Sequence, residues 1–146
     1  MTILDTIILN KRREVTLKKS IVSVVQLEKS DLFTSITNSL SKSILNSPFG
    51  IIAEHKRRSP SKTTINNSFS VEEVVKGYEK AGASGISVLT DSTFFGGSLD
   101  DLLLARAAVQ TPLIRKEFII DEYQLLEAKS NGADAIILIH AVLTKD

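Results

Sequence analysis

Apolar residues recur at three- and four-residue spacings over the first part of the chain, where Ile3, Leu4, Ile7, Ile8, Val15, Ile21, Val22 and Val25 stand among Lys, Arg and Glu. That period predicts a helix from residue 3 to about residue 27. A second amphipathic piece, residues 30–45, is rich in Ser and Asn, which makes it a weaker helix because such side chains compete for backbone hydrogen bonds. Pro48 closes this region, and beyond it the pattern changes. Strand-like runs occupy residues 49–54, 85–89, 113–116 and 135–139, and helical segments occupy 70–81, 98–108 and 121–131. Ser70 followed by Glu73 reads as a capping box. Gly82 and Gly132 each follow a helical segment, where a glycine can take the left-handed conformation. Strands alternating with helices over short connections are the signature of βαβ units and a parallel sheet, so the fold class is α/β. The expected organisation is a helical extension over residues 1–47, followed by a single βα unit array over 48–146.

The strand ends carry the candidate chemistry. Read with period 2, Ile52, Glu54 and Lys56 share one face, and Ala53, His55 and Arg57 share the other. An acid and an ammonium at the end of a buried strand are costly unless they pair or meet a ligand. Ile114, Lys116 and Phe118 likewise share a face, so Lys56 and Lys116 can point into one mouth. His55 falls on the opposite face from Glu54 and reads as structural, packed beneath a helix. Asp91, Glu117 and Asp121 read as loop or helix-start residues, with Asp121 an expected N-cap. His140 receives no role.

Composition narrows the classes. A chain of 146 residues holds one domain with a real core. Its net charge of +1 gives no electrostatic case for nucleic acid or an acidic membrane. The basic cluster Lys56-Arg57-Arg58 with Lys62 is local and would suit a phosphate or carboxylate ligand. The absence of Cys removes disulfides, thiolate catalysis and Cys-ligated metal. The N-terminus lacks the pattern of a secretory signal, and no apolar run approaches the ~20 residues that span a bilayer, so a soluble cytoplasmic protein is expected.

Several strand-end segments together go further. They are Glu54-His55-Lys56-Arg57-Arg58-Ser59-Pro60-Ser61, Leu89-Thr90-Asp91-Ser92-Thr93-Phe94-Phe95-Gly96-Gly97-Ser98, Leu113-Ile114-Arg115-Lys116-Glu117-Phe118 and Gly132-Ala133-Asp134-Ala135-Ile136-Ile137. With the opening Ile3-Leu4-Asp5-Thr6-Ile7-Ile8 and Lys11-Arg12-Arg13-Glu14-Val15, they resemble the indole-3-glycerol phosphate synthases of tryptophan biosynthesis. The resemblance implies a (β/α)8 TIM barrel with its active site at the C-terminal rim of the strands. It implies a carboxy-lyase that closes the pyrrole ring of 1-(2-carboxyphenylamino)-1-deoxyribulose 5-phosphate, losing carbon dioxide and water, with no metal or organic cofactor. On that resemblance Lys56 binds the substrate carboxylate and serves in acid catalysis, Glu54 is its charge partner, and Lys116 is the second catalytic ammonium. Ser59 and Pro60 would help hold the phosphate. Phe95, Phe118 and Ile137 would line the pocket around the aromatic ring, with the choice between Phe94 and Phe95 open.

A barrel of this kind takes about 250 residues, so this chain is expected to be the extension and the first half of one. Such a half-barrel would lack the later-strand residues and the main phosphate cradle, and would have little or no activity alone. Its first and fourth strands would expose edges that invite self-association. Two other readings remain from sequence: a non-catalytic half-barrel that self-associates, and a related sugar-phosphate barrel enzyme.

Overall fold

The computed structural model describes residues 1–143. Its centre is a four-stranded parallel sheet in the order β1 (Ile52–His55), β2 (Gly85–Leu89), β3 (Leu113–Lys116) and β4 (Ala135–Ile136). Sequential strands are spatial neighbours throughout, each joined to the next by a helical crossover. The crossovers are α4 (Val71–Lys80), α5 (Leu99–Ala108) and α6 (Tyr123–Ser130). Three helices precede the sheet: α1 (Ile3–Ile21), α2 (Val24–Glu28) and α3 (Leu40–Leu45). Among the described residues, β1 and β4 each pair on one side only.

Caps decide where the crossovers start. Ser70 accepts a hydrogen bond from the Glu73 amide while Glu73 reaches back to the Ser70 amide, closing the expected capping box. Ser98 caps α5 through the Asp101 amide. Gly82 and Gly132 take φ of +85° and +87°, the left-handed turns expected of them. Asp121 departs from its expected place. The cap position is Glu122, which makes no side-chain cap bond, and Asp121 Oδ1 accepts from the Tyr123 amide one residue earlier in the turn.

The strands at 85–89 and 113–116 are found as read, and the outer two differ. Residues 49–51 lie outside β1 because Ser47 Oγ accepts from the Phe49 and Gly50 amides, in a turn where Gly50 has φ +60°. The fourth strand stops at Ile136 rather than 139, its ladder with β3 ending at the Arg115–Ile136 pair. The first helix breaks after Ile21, where Ser23 starts α2 with its own box to Gln26. Residues 30–39 form turns, not helix. The hydroxyls of Thr34 and Ser35 bond to nearby carbonyls, the competition that weakens Ser/Thr-rich helices.

The outer face of the sheet is the core. Ile86, Val88 and Leu113 are fully buried against Val71 and Val75 of α4, Leu102 and Ala105 of α5, and Ala128 of α6. Each such aliphatic side chain contributes about 1.5–3 kcal/mol by leaving water. The inner face carries the register row Glu54, Ser87, Ile114 and Ala135. Its floor is closed at the strands' N-terminal end by α3, where a Cβ on Gly85 would sit 2.5 Å from Leu40 Cδ1.

The N-terminal helices clasp this half-sheet at both ends. Asn10 donates to Thr93 Oγ1 and Lys11 pairs with Asp91 and Glu117, all beyond the C-terminal ends of β2 and β3. Further along, Tyr123 Oη donates to the Val22 carbonyl, and Ser30 Oγ to that of Ser130. The Asn38 amide reaches Asp134 Oδ1 before β4. Among the described residues, no helix is long and apolar enough to cross a membrane.

Candidate active site

Three of the residues singled out by sequence meet at the C-terminal end of the sheet's inner face. Glu54 ends the exposed side of β1, and its Oε1 lies 3.2 Å from Lys56 Nζ. Its Oε2 accepts from Ser87 Oγ at 3.1 Å and lies 3.6 Å from Lys116 Nζ at the end of β3. The parallel register makes this possible: Glu54 stands opposite Ser87, and Lys116 opposite Leu89 one step higher on the same face. Burial would raise the Glu54 carboxyl, but the hydrogen bond from Lys56 and the charge of Lys116 outweigh it and hold the group below its ordinary value. One carboxylate thus serves two ammoniums, and all three side chains are about one-third exposed.

Beside them stands an aromatic wall. The rings of Phe95 and Phe118 lie 5.9 Å apart at 42°, so Phe95 packs against Phe118. Ile137 follows β4, half-buried, and the β3–β4 register carried one residue further sets it beside Lys116. The loop after β1 behaves differently. Ser59 exchanges backbone hydrogen bonds with Lys62 and also accepts from the Lys62 amide through Oγ, so its bonds stay within its own turn. Pro60 is exposed at the tip. Neither is brought against Glu54, Lys56 or Lys116. A cleft of about 580 Å³ separates the end of β1 from residues 64–69, lined by Lys56, Asn66, Phe69, Val74 and Tyr78 among others. A second cavity of about 550 Å³, between α1 and α6, shares no lining residue with it.

The basic cluster is a correction. Arg57 forms a two-pronged pair with Asp101 and donates to the Gly96 carbonyl, while Arg58 donates to the carbonyls of Ser92 and Thr93. Both guanidiniums tie the loop after β1 to the loop after β2, so of the run 56–58 only Lys56 faces the inner site. His55 is buried on the helix side, as read, with Nε2 lacking a hydrogen-bond partner.

Sequence reasoning missed a second charge cluster. Asp91 and Glu117, read as loop residues, are fully buried, and Lys11 Nζ lies 3.0 Å from each and 2.7 Å from Glu14 Oε2. Arg115, on the helix side of β3, continues the network to Glu127 at 2.7 Å and to Thr90 Oγ1 at 3.0 Å, and Thr90 in turn donates to Glu117. Burial pushes the Lys11 ammonium toward losing its proton, but Glu117, Glu14 and Asp91 together hold its pKa well above the ordinary lysine value. The signal was available: Lys11 stands four residues after Ile7 and four before Val15, on the stripe that α1 buries.

A sheet of consecutive parallel strands joined by helices, with charged side chains at its C-terminal rim, is the arrangement of a (β/α)8 barrel in part. The profile of the family "Indole-3-glycerol phosphate synthase" matches residues 4–146, and the chain belongs to that family. It is 51% identical over 144 residues to the indole-3-glycerol phosphate synthase of Bacteroides thetaiotaomicron, covering 99% of this chain and 55% of that one. Identity is 45% over 146 residues with the synthase of Prochlorococcus marinus subsp. pastoris, covering 99% of this chain and 50% of the relative. It is 42% over 149 residues with that of Neisseria meningitidis serogroup B, covering 99% and 57%. The chain spans about half the length of the curated relatives it matches.

Proposed function

We propose that this chain supplies the extension (residues 1–47) and the first half (48–146) of an indole-3-glycerol phosphate synthase barrel. The reaction is ring closure of 1-(2-carboxyphenylamino)-1-deoxyribulose 5-phosphate, with loss of carbon dioxide and water, in the tryptophan pathway of the cytoplasm. The observation that carries this reading is the sharing of Glu54 between Lys56 and Lys116 on the open face. Two cations against one anion leave positive charge for a substrate that bears a carboxylate and a phosphate. Lys56, nearest the loop, takes the carboxylate. Lys116 delivers a proton to the ribulose-derived oxygen, a service worth about 10²–10⁴-fold in rate when a positioned group performs it. Glu54 keeps both ammoniums charged and aimed. Phe95, Phe118 and Ile137 receive the aromatic ring, and Ser59 with Pro60 helps hold the phosphate.

The groups needed opposite this wall belong to the half of the relatives that this chain does not cover, so the 146-residue chain alone has little or no synthase activity. The test is formation of the fluorescent indole product by the 146-residue chain, and by the same chain joined to the remaining half of the Bacteroides thetaiotaomicron sequence. Turnover in the joined chain only is expected. Turnover in neither sinks the synthase reading.

A second reading has its own observation: among the described residues β1 and β4 each pair on one side only, and Ile52 on the inner face is 46% exposed. Two copies meeting through these edges would close eight strands. Size-exclusion chromatography of the 146-residue chain decides it, since a monodisperse dimer supports this assembly and a monomer removes it.

A further inference from the structure

The ammonium of Lys11 links the two halves of the aromatic wall. Asp91 Oδ2 accepts from the Phe94 amide at 2.8 Å and the Phe95 amide at 3.3 Å, so Asp91 shapes the loop that presents Phe95. Glu117 Oε1 accepts from the Phe118 amide at 2.8 Å. The other oxygen of Asp91 accepts no hydrogen bond and has the Lys11 ammonium 3.0 Å away, and Glu117 Oε1 lies 3.0 Å from the same nitrogen. Each carboxylate therefore holds the backbone of one ring of the Phe95–Phe118 pair, and a single cation from α1 holds both carboxylates.

We propose that Lys11 is a positioning residue for the aromatic wall of the active site, setting the spacing of Phe95 and Phe118 through Asp91 and Glu117. Its place on the helix supports this over a purely structural staple. An apolar side chain at position 11 would continue the stripe of Ile7 and Val15 and dock α1 at no desolvation cost. Such a residue would leave Asp91 and Glu117 buried with only Arg115, 3.6 Å from Glu117, as counter-charge, and the uncompensated negative charge would spread the loops after β2 and β3 or force one carboxyl to take up a proton. Both loops carry the wall, so spreading them loosens the contact of both rings with whatever binds between them. The effect on turnover rests on the synthase reading above, whereas the effect on the loops does not.

The experiment has two arms for that reason. In the 146-residue chain, amide hydrogen exchange is followed by NMR for native protein, Lys11→Met and Val15→Ala. Val15→Ala loosens the same helix without touching either carboxylate. Lys11→Met is expected to speed exchange of the Phe94 and Phe118 amides about tenfold or more. Leu102 and Val75 should be unchanged in that variant, and Val15→Ala should leave all four unchanged. Should Lys11→Met fail to fold, Lys11→Met with Glu117→Gln keeps the cluster's net charge and is expected to speed the Phe94 amide equally. In the joined chain, Lys11→Met should raise KM for the anilino-deoxyribulose phosphate about tenfold, with kcat within about threefold, because ring contacts act in both ground and transition states. Val15→Ala should leave KM within twofold. Unchanged Phe94 exchange in both position-11 variants, or an equal change in Val15→Ala, overturns the proposal. Faster Phe94 and Phe118 exchange in a joined chain without turnover keeps Lys11 as the positioning residue of the loops and rejects the synthase reading instead.

Discussion

The molecule holds two lysine clusters within reach of the same strand ends, and they are built in opposite ways. Around Lys11 one ammonium meets three carboxylates, all within 3.0 Å, and its side chain is 1% exposed. Around Glu54 one carboxylate meets two ammoniums, at 3.2 and 3.6 Å, with every member open to solvent. The first is sealed and oversupplied with acid, which is how a buried cation is kept without a large desolvation loss. The second is short of acid and open, so its surplus positive charge is available to something that arrives. Burial and stoichiometry distinguish the two clusters where residue type does not, since both are made of lysines and carboxylates.

Breaking that contrast on the open side should give the largest effect. In the joined chain, Lys116→Ala and Lys56→Ala should each lower kcat by about 10²–10⁴-fold. They should change urea stability by no more than about 1 kcal/mol, because half-exposed ion pairs contribute little. Normal turnover in either variant removes that lysine from the chemistry. On the sealed side the pattern inverts: Lys11→Met should cost about 3–5 kcal/mol of stability by leaving Asp91 buried without its ionic partner and Glu117 with Arg115 alone, read from the urea midpoint of the 146-residue chain. A loss below 1 kcal/mol would mean that the two clusters differ in appearance only.

His55 sharpens the comparison because it is buried with a partnerless nitrogen. Burial first, and then the Arg57 guanidinium, press its pKa below the ordinary 6.5, against a smaller opposing pull from Asp101. The unfolded chain therefore takes up the proton first as pH falls. Stability should be full above about pH 6.5 and decline from there as the pH drops toward the folded-state value, and His55→Gln should flatten that slope. Glu54, Glu14 and Asp121, all held low, add their own losses only below about pH 4.5. Urea midpoints at pH 7.5 and 5.5 read the difference. The smallest effect belongs to the exposed contact Lys19–Asp121 at 2.9 Å, where Lys19→Ala should cost about 0.2–1 kcal/mol in the same titration.

How much of this was legible depended on the range of the cause. The strands Gly85–Leu89 and Leu113–Lys116 and the start of α4 followed from alternation and a capping box, signals contained within a few residues. The shared face of Glu54 and Lys56 followed from period 2, and the approach of Lys116 to the same mouth from the pleat, whereas the contact of Lys116 with Glu54 came only from the structure. What failed depended on distant partners. The fourth strand is found only over the two residues that pair with β3, and a run such as Lys56-Arg57-Arg58 reads the same whether its members face a ligand or, as Arg57 does, a buried Asp101. The Lys11 cluster joins three stretches of chain far apart in sequence, yet a charge on the stripe between Ile7 and Val15 marked one end of it.

The clasp formed by the N-terminal helices bears on how the chain comes off the ribosome. Lys19 finds Asp121, Ser30 finds Ser130 and Asn38 finds Asp134 across separations of 102, 100 and 96 residues. At about 5–20 residues per second, the first helix waits several seconds for the acids and carbonyls that will receive it. Through that interval it is a free amphipathic peptide with the apolar side chains of Ile7 and Val15 uncovered. Holdase chaperones recognise such segments, and slowing synthesis between residues 40 and 120 would lengthen their opportunity.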